Sequence, residues 1–93
     1  MMDARSLVAW NLRRLRVAKG IAQEALAVDA EIDRTYVSRL ERNMENPTVA
    51  VLERIAKALG AEITELFAVP KPGARAPRTL PKGRRPKRTA PRR

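Results

Sequence analysis

The sequence predicts an all-α fold, a compact core of five helices followed by a basic C-terminal tail, on three observations. Apolar residues recur at spacings of three and four along the first 69 residues, which is the period of an amphipathic helix. Gly20 and Gly60 follow two of these segments, at the place where helices commonly end. No alternation of apolar and polar residues is long enough for a strand, and six of the seven prolines lie at or after Pro70.

The first three helices follow from periodicity and capping residues. The segment from Ala4 to Lys19 carries one apolar stripe at positions i, i+4 and i+7, formed by Val8, Leu12 and Leu15. Two shorter helices are predicted at about 23–28 and 33–42. Asp33 can cap the second of them, because its carboxylate accepts from backbone N–H groups at the positive end of the helix dipole.

The last two helices complete the core. The segment from Val49 to Leu59 repeats the apolar pattern, and Thr48 is its predicted N-cap. A final turn from Ile63 to Phe67 is the fifth predicted helix. The core therefore covers residues 1–69, and residues 70–93 form a separate segment.

The charge is divided unevenly between these two parts. The chain holds 20 basic and 10 acidic residues, for a formal net charge of +10. Residues 1–69 contain ten of each, so the core has no net charge and the tail has all of the excess. The basic residues of the tail are Lys71, Arg75, Arg78, Lys82, Arg84, Arg85, Lys87, Arg88, Arg92 and Arg93. With Leu80 as its single branched aliphatic residue, the tail is predicted to be disordered.

A basic tail of this kind favours a polyanionic partner. Its cations would bind nucleic acid without regard to sequence, through the release of condensed counterions. A solubilising tail with no defined partner is the alternative interpretation. The tail contains no aromatic residue that could stack on bases, which argues against a dedicated single-strand binder.

Composition excludes several other classes of function. The chain has no cysteine and no histidine, so disulfides, thiol nucleophiles and the usual zinc ligands are absent, and we expect no metal and no cofactor. Acid–base catalysis would depend on carboxylates, lysine or tyrosine alone, so we do not expect an enzyme. No apolar run approaches the roughly 18 to 20 residues of a membrane span. We therefore expect a cytoplasmic, nucleoid-associated protein with no evident small-molecule ligand.

The segment 33–42 carries the clearest functional pattern. At about 100° per residue, one face of this helix collects five polar side chains within an arc of roughly 140°. These side chains are Arg34, Thr35, Ser38, Arg39 and Arg42. Val37 and Leu40 lie on the opposite side. Arginine can pair with guanine through two hydrogen bonds, and serine or threonine can reach bases or phosphates, although an ordinary solvated face is the alternative interpretation.

Neighbouring motifs carry a family resemblance. They are Leu12-Arg-Arg-Leu-Arg16, Lys19-Gly-Ile-Ala-Gln-Glu-Ala-Leu-Ala27, Arg34-Thr-Tyr-Val-Ser-Arg-Leu-Glu-Arg42 and Asn46-Pro47. With the segment 52–67, they resemble the lambda-repressor-like (Xre/Cro-type) helix-turn-helix family over about residues 6–67. The resemblance implies a five-helix DNA-binding domain with its helix-turn-helix motif at about residues 22–42. The second helix of that motif, at about 33–42, would lie in the major groove.

The resemblance also implies roles for individual residues. Gln23 matches a position that contacts a phosphate, and Tyr36 and Arg42 match positions where backbone contacts are common. Arg34, Thr35, Ser38 and Arg39 match the positions that face base edges. Arg16 and Glu41 match a structural ion pair between the first helix and the recognition helix. Arg13 and Arg14 are instead interpreted as a solvated face.

Several positions depart from the family pattern. Ala22 replaces the usual serine or threonine cap of the second helix. Glu31 and Asn43 replace glycines at positions where φ is commonly positive, and such a φ is disfavoured for a residue other than glycine, least so for asparagine. These departures concern local stability, since none of them removes a residue expected to face DNA.

The resemblance implies a sequence-specific regulator of transcription that binds double-stranded DNA. We expect a repressor that acts as a homodimer on an inverted-repeat operator. An antitoxin or a restriction-modification controller would use the same module. A general nucleoid or RNA-binding protein, dominated by its basic tail, is the alternative from a different class.

Overall fold

The computed structural model describes residues 2–74, which contain four α-helices, one short 3-10 helix and no strand. Helix α1 spans Ala4–Ala18, α2 Gln23–Ala30, α3 Arg34–Glu41 and α4 Val49–Leu59, and the 3-10 helix spans Ile63–Phe67. The all-α class is confirmed. The predicted fifth helix differs in kind, because its five residues form i to i+3 bonds such as Glu65 N to Glu62 O at 2.9 Å, as short terminal segments commonly do.

The tail lies almost wholly outside the described residues. Of its ten basic residues, all but Lys71 fall there, and so does most of the segment 70–93 that is predicted to be disordered. No helix within residues 2–74 combines the length and the apolar character that a membrane crossing requires.

One large apolar side chain from every helix meets in a single core. Leu12, Leu26, Leu40, Ile55 and Leu66 come from the five helices in turn, and none is more than 1% exposed. Helix α3 also buries Val37 completely. Two fully buried side chains on one side of an eight-residue helix fix its rotation, so its polar side must face away from the core.

Three of the four α-helices begin at a side-chain cap. Asp33 accepts from Thr35 N at 2.9 Å and Thr48 from Val51 N at 3.1 Å, as predicted. Asp3 caps α1 by accepting from Ser6 N, and this hydrogen bond lowers the pKa of the Asp3 carboxyl below its ordinary value. Helix α2 has no side-chain cap, since Ala22 holds that position.

All four α-helices end in the same way, with a left-handed residue and a hydrogen bond that spans five residues. The left-handed residues are Gly20, Glu31, Asn43 and Gly60. The spanning bonds run from Ile21 N to Arg16 O, Ile32 N to Ala27 O, Met44 N to Arg39 O and Ala61 N to Ala56 O, each between 2.9 and 3.0 Å. This Schellman geometry satisfies carbonyls that the helix leaves unpaired. The predicted positive φ is confirmed at Glu31 (60°) and Asn43 (61°).

The strained end of α2 is supported from α4. Arg54 donates from Nε to Ala30 O at 3.0 Å and from Nη2 to Glu31 O. A cation at the C-terminal end of a helix also interacts favourably with the helix dipole. Arg54 therefore stabilises the three-residue turn that sets α3 against α2.

Candidate nucleic-acid interface

Helix α3 presents the predicted polar residues on one side. Arg34, Thr35 and Arg42 are exposed, and Ser38 and Arg39 are half-buried. Within residues 2–74, the Arg34 guanidinium forms no hydrogen bond and no ion pair. All of its donors are therefore available to an external acceptor, at the first position of a helix whose back is fixed in the core.

Arg39 differs from Arg34 because the loop after α3 holds it. Its Nε donates to Glu45 Oε2 at 2.7 Å and its Nη2 donates to Met44 O at 3.3 Å. The side chains of Arg39 and Glu45 are 40% and 27% exposed, so solvent screens this pair and its contribution to stability is small. Of the five N–H donors of arginine, at most three remain for another partner.

Glu45 also influences Tyr36. Burial of the phenol, and secondly the negative charge of Glu45, raise the pKa of Tyr36 above its ordinary value. The hydroxyl therefore stays protonated at neutral pH and can donate a hydrogen bond to an acceptor such as a phosphate oxygen.

A buried ion pair joins the end of α3 to α1. Arg16 donates from Nη2 to Glu41 Oε1 at 2.9 Å and from Nε to Glu41 Oε2, in the two-bond geometry typical of arginine and a carboxylate. Arg16 and Glu41 are only 3% and 7% exposed. Arg16 also donates from Nη1 to Ile21 O at 2.8 Å, so the same guanidinium holds the chain that enters α2.

Gln23 connects α2 to this ion pair. Its Nε2 donates to Glu41 Oε1 at 3.1 Å, and Gln23 is the first residue of α2. The structure therefore brings Gln23, Arg16 and Glu41 together, although the sequence suggested separate roles for Gln23 and for the pair. Because Ala22 provides no cap, the first N–H groups of α2 have no side-chain acceptor.

The interpretation of Arg13 and Arg14 as a solvated face is only partly correct, because both side chains are half-buried and have partners on other parts of the core. Arg13 Nε lies 3.6 Å from Glu41 Oε1, and Arg14 Nε donates to Asn11 Oδ1 at 3.0 Å. Asn11 is buried and donates to Leu66 O and Ala68 O, so this side of α1 holds the C-terminal end of the core. The spacing of Arg13 and Arg16, three residues apart on one helix face, was the available signal.

Residues 12–66 match a protein family described as Helix-turn-helix. The chain is 42% identical over 69 residues to the Neisseria hypothetical transcription factor of Neisseria meningitidis, a match that covers 74% of this chain and 65% of that relative. It is 45% identical over 65 residues to the HTH-type transcriptional regulator y4dJ of Sinorhizobium fredii, covering 70% of this chain and 84% of the relative.

Solved structures of restriction-modification controller proteins are similar in fold. The controller C.AhdI of Aeromonas hydrophila is 40% identical with a TM-score of 0.66, over 68% of this chain and 96% of that one. The controller C.Esp1396I, crystallised as a tetramer in complex with its natural 35-base-pair operator, is 37% identical with a TM-score of 0.66. That match covers 72% of this chain and 88% of that one.

Proposed function

Because this chain belongs to the helix-turn-helix family of transcriptional regulators, we propose that it represses transcription by binding double-stranded DNA as a homodimer at an inverted-repeat operator. The observation that carries the proposal is the polar side of α3, where the side chains of Arg34 and Thr35 are exposed and have no hydrogen-bond partner within residues 2–74, while Val37 and Leu40 are fully buried. A helix fixed from behind, with a guanidinium at its first turn, suits the major groove of DNA.

Four side chains of α3 are proposed to read base edges. They are Arg34, Thr35, Ser38 and Arg39. Arg34 has all five donors available for a two-bond contact with guanine. Arg39 would contact a base with the N–H donors that are not bonded to Glu45 or Met44. The contact with Glu45 limits the orientations of the Arg39 guanidinium.

Phosphate contacts are proposed for Gln23, Tyr36 and Arg42. The uncapped start of α2 supports this assignment, since its first N–H groups and the positive end of the helix dipole attract an anion. The protonated hydroxyl of Tyr36 and the exposed guanidinium of Arg42 add further donors. Arg16 and Glu41 contribute by fixing α1 and α3 relative to one another, not by contacting DNA.

A dimer is proposed because one recognition helix reads only a few base pairs, too few to define a site in a genome. Phe67 and Val69 expose 40% and 78% of their surface at the end of the core, so we place the contact between protomers there. We assign the protein no catalytic activity, metal or cofactor. An operator-binding protein acts where the genome is, so we place it in the cytoplasm with the nucleoid.

A second candidate within this class is a restriction-modification controller. The controllers C.AhdI and C.Esp1396I share 40% and 37% of aligned residues with this chain and match its fold over most of their length. This candidate predicts that an operator for the protein lies beside genes for a restriction enzyme and its methyltransferase.

Selection of binding sites from a pool of random duplex DNA tests the proposed function. We expect the full-length protein to enrich an inverted repeat whose half-sites are about 34 Å, or one helical turn, apart. Enrichment of a site without two-fold symmetry, bound by one protein per duplex, would contradict the dimer. Failure to enrich any sequence would favour the general nucleoid or RNA-binding alternative.

Replacing Arg34 with alanine tests base readout. We expect binding to the selected site to weaken by about 1 to 3 kcal/mol and the preference at one base pair per half-site to relax, because one guanidinium reads one pair. Quantitative binding to site variants measures both effects. Lys57→Ala is the matched control, since it removes the same charge from an exposed position on α4. Equal losses on specific and random DNA would reassign Arg34 to a phosphate.

A further inference from the structure

Three donors converge on one oxygen of Glu41. Oε1 lies 2.9 Å from Arg16 Nη2, 3.1 Å from Gln23 Nε2 and 3.6 Å from Arg13 Nε. The other oxygen, Oε2, accepts from Arg16 Nε. The Glu41 side chain itself has no exposed surface, so no bulk water competes for these positions.

Arg13 is the donor that this arrangement leaves unsatisfied. Its Nε atom is buried and has no hydrogen-bond partner within the described residues, although the side chain as a whole is 29% exposed. A distance of 3.6 Å is an ion pair but lies beyond the range of an N–H···O hydrogen bond. Gln23 Nε2 lies closer to the same oxygen, at 3.1 Å, and forms the hydrogen bond that Arg13 does not.

We propose that Arg13 is a positioning residue that replaces Gln23 on Glu41 when Gln23 turns to a DNA phosphate. The inference rests on the proposed phosphate contact of Gln23. In the unbound protein, Gln23 and Arg16 donate hydrogen bonds to Glu41 Oε1, and Arg13 Nε lies 3.6 Å from that oxygen without a hydrogen bond. In the DNA complex, Gln23 leaves and Arg13 Nε moves the remaining few tenths of an ångström to form a hydrogen bond. The buried Glu41 carboxylate thus accepts the same number of hydrogen bonds in the unbound protein and in the DNA complex.

This exchange links DNA binding to α1, a helix with no proposed DNA contact. Without Arg13, release of Gln23 leaves a buried carboxylate oxygen with fewer donors, and such a loss is costly in a site shielded from water. Gln23 then pairs less readily with the phosphate, and affinity for DNA falls although no DNA-contacting residue has changed.

A double-mutant cycle with Arg13→Ala and Gln23→Ala tests the proposal. Both single variants retain the Arg16–Glu41 pair, so we expect both to fold. On the selected operator, Arg13→Ala should weaken binding about tenfold in the wild-type background, which corresponds to about 1.4 kcal/mol. In the Gln23→Ala background, Arg13→Ala should change binding by less than about twofold, because without Gln23 no exchange on Glu41 takes place.

Thermal unfolding should show the reverse pattern. Arg13→Ala should lower the Tm of the wild-type protein less than it does in the Gln23→Ala background, because Arg13 there contributes the 3.6 Å ion pair but no hydrogen bond. In the Gln23→Ala background, Arg13 holds Glu41 in the unbound protein, so its removal should lower the Tm by about 5 °C. Arg13→Lys keeps a charged donor on α1 and should restore operator affinity to within about threefold of wild type.

Different results would contradict the exchange at Glu41, the phosphate contact of Gln23 and the regulator function. Equal loss of affinity in both backgrounds would overturn the exchange, and a salt slope smaller by about 0.9 would show instead that Arg13 contacts a phosphate itself. No loss of affinity from Arg13→Ala in the wild-type background would also overturn it. Operator binding that Gln23→Ala leaves unchanged would remove the phosphate contact on which the inference rests. A wild-type protein that enriches no sequence would overturn the regulator proposal instead.

Discussion

Glu41→Ala is expected to destabilise the fold by about 3 to 5 kcal/mol, because it leaves the charge of Arg16 buried without its partner. Arg16 is 3% exposed and donates from both Nε and Nη2 to the carboxylate. The variant therefore removes two charge-assisted hydrogen bonds and leaves both donors without an acceptor. It also removes the acceptor of Gln23. Since small domains are stable by only about 5 to 15 kcal/mol, this loss brings the protein close to unfolding.

Urea denaturation followed by helical circular dichroism measures this loss. Glu45→Ala is the matched control, because it removes the same group from the partly exposed pair with Arg39 and should cost less than about 1 kcal/mol. Glu41→Gln keeps one acceptor oxygen and should fall between the two. An unchanged free energy of unfolding together with weaker DNA binding would show that Glu41 acts on DNA and not on the fold.

Helix positions were predictable because the determinants are local. Apolar spacing located α1 and α4, and the capping residues Asp33 and Thr48 marked the starts of α3 and α4. The left-handed ends at Glu31 and Asn43 were also predicted, although neither residue is glycine. The 3-10 character of the last helix was not predictable, since apolar spacing over five residues does not separate an α-helix from a tighter one.

The polar face of α3 was predictable for the same reason, because 100° per residue fixes which side chains share a side. The Glu45 contact to Arg39 was not, since it depends on the path of the loop after the left-handed turn at Asn43. The spacing of Arg13 and Arg16 indicated only that both lie on one side of α1, and the burial of Arg13 Nε beside Glu41 could not be predicted because it depends on the packing of α1 against α3. Sequence spacing identified the charged groups, whereas the Arg16–Glu41 pair across helices was predicted from the family resemblance and not from spacing.

Deletion of residues 70–93 is expected to weaken binding to every DNA sequence by a similar factor and to leave the preferred operator unchanged. The core has ten basic and ten acidic residues, so the tail supplies the entire excess of positive charge. The fold should survive the deletion, because Asn11 holds the end of the core through Leu66 O and Ala68 O, before the cut.

Salt titration of full-length and truncated protein, on operator and on random duplexes, measures the contribution of the tail. Each neutralised phosphate contributes about −0.9 to the slope of log affinity against log salt, so four engaged charges give roughly 3 to 4 units. Ordering a proline-rich chain costs entropy, which is why fewer than all ten should engage. A tail of equal length with glutamine at its ten basic positions is the control and should behave like the deletion. An unchanged slope would make the tail a solubilising segment, whereas loss of the preferred operator would show that specificity does not reside in α3.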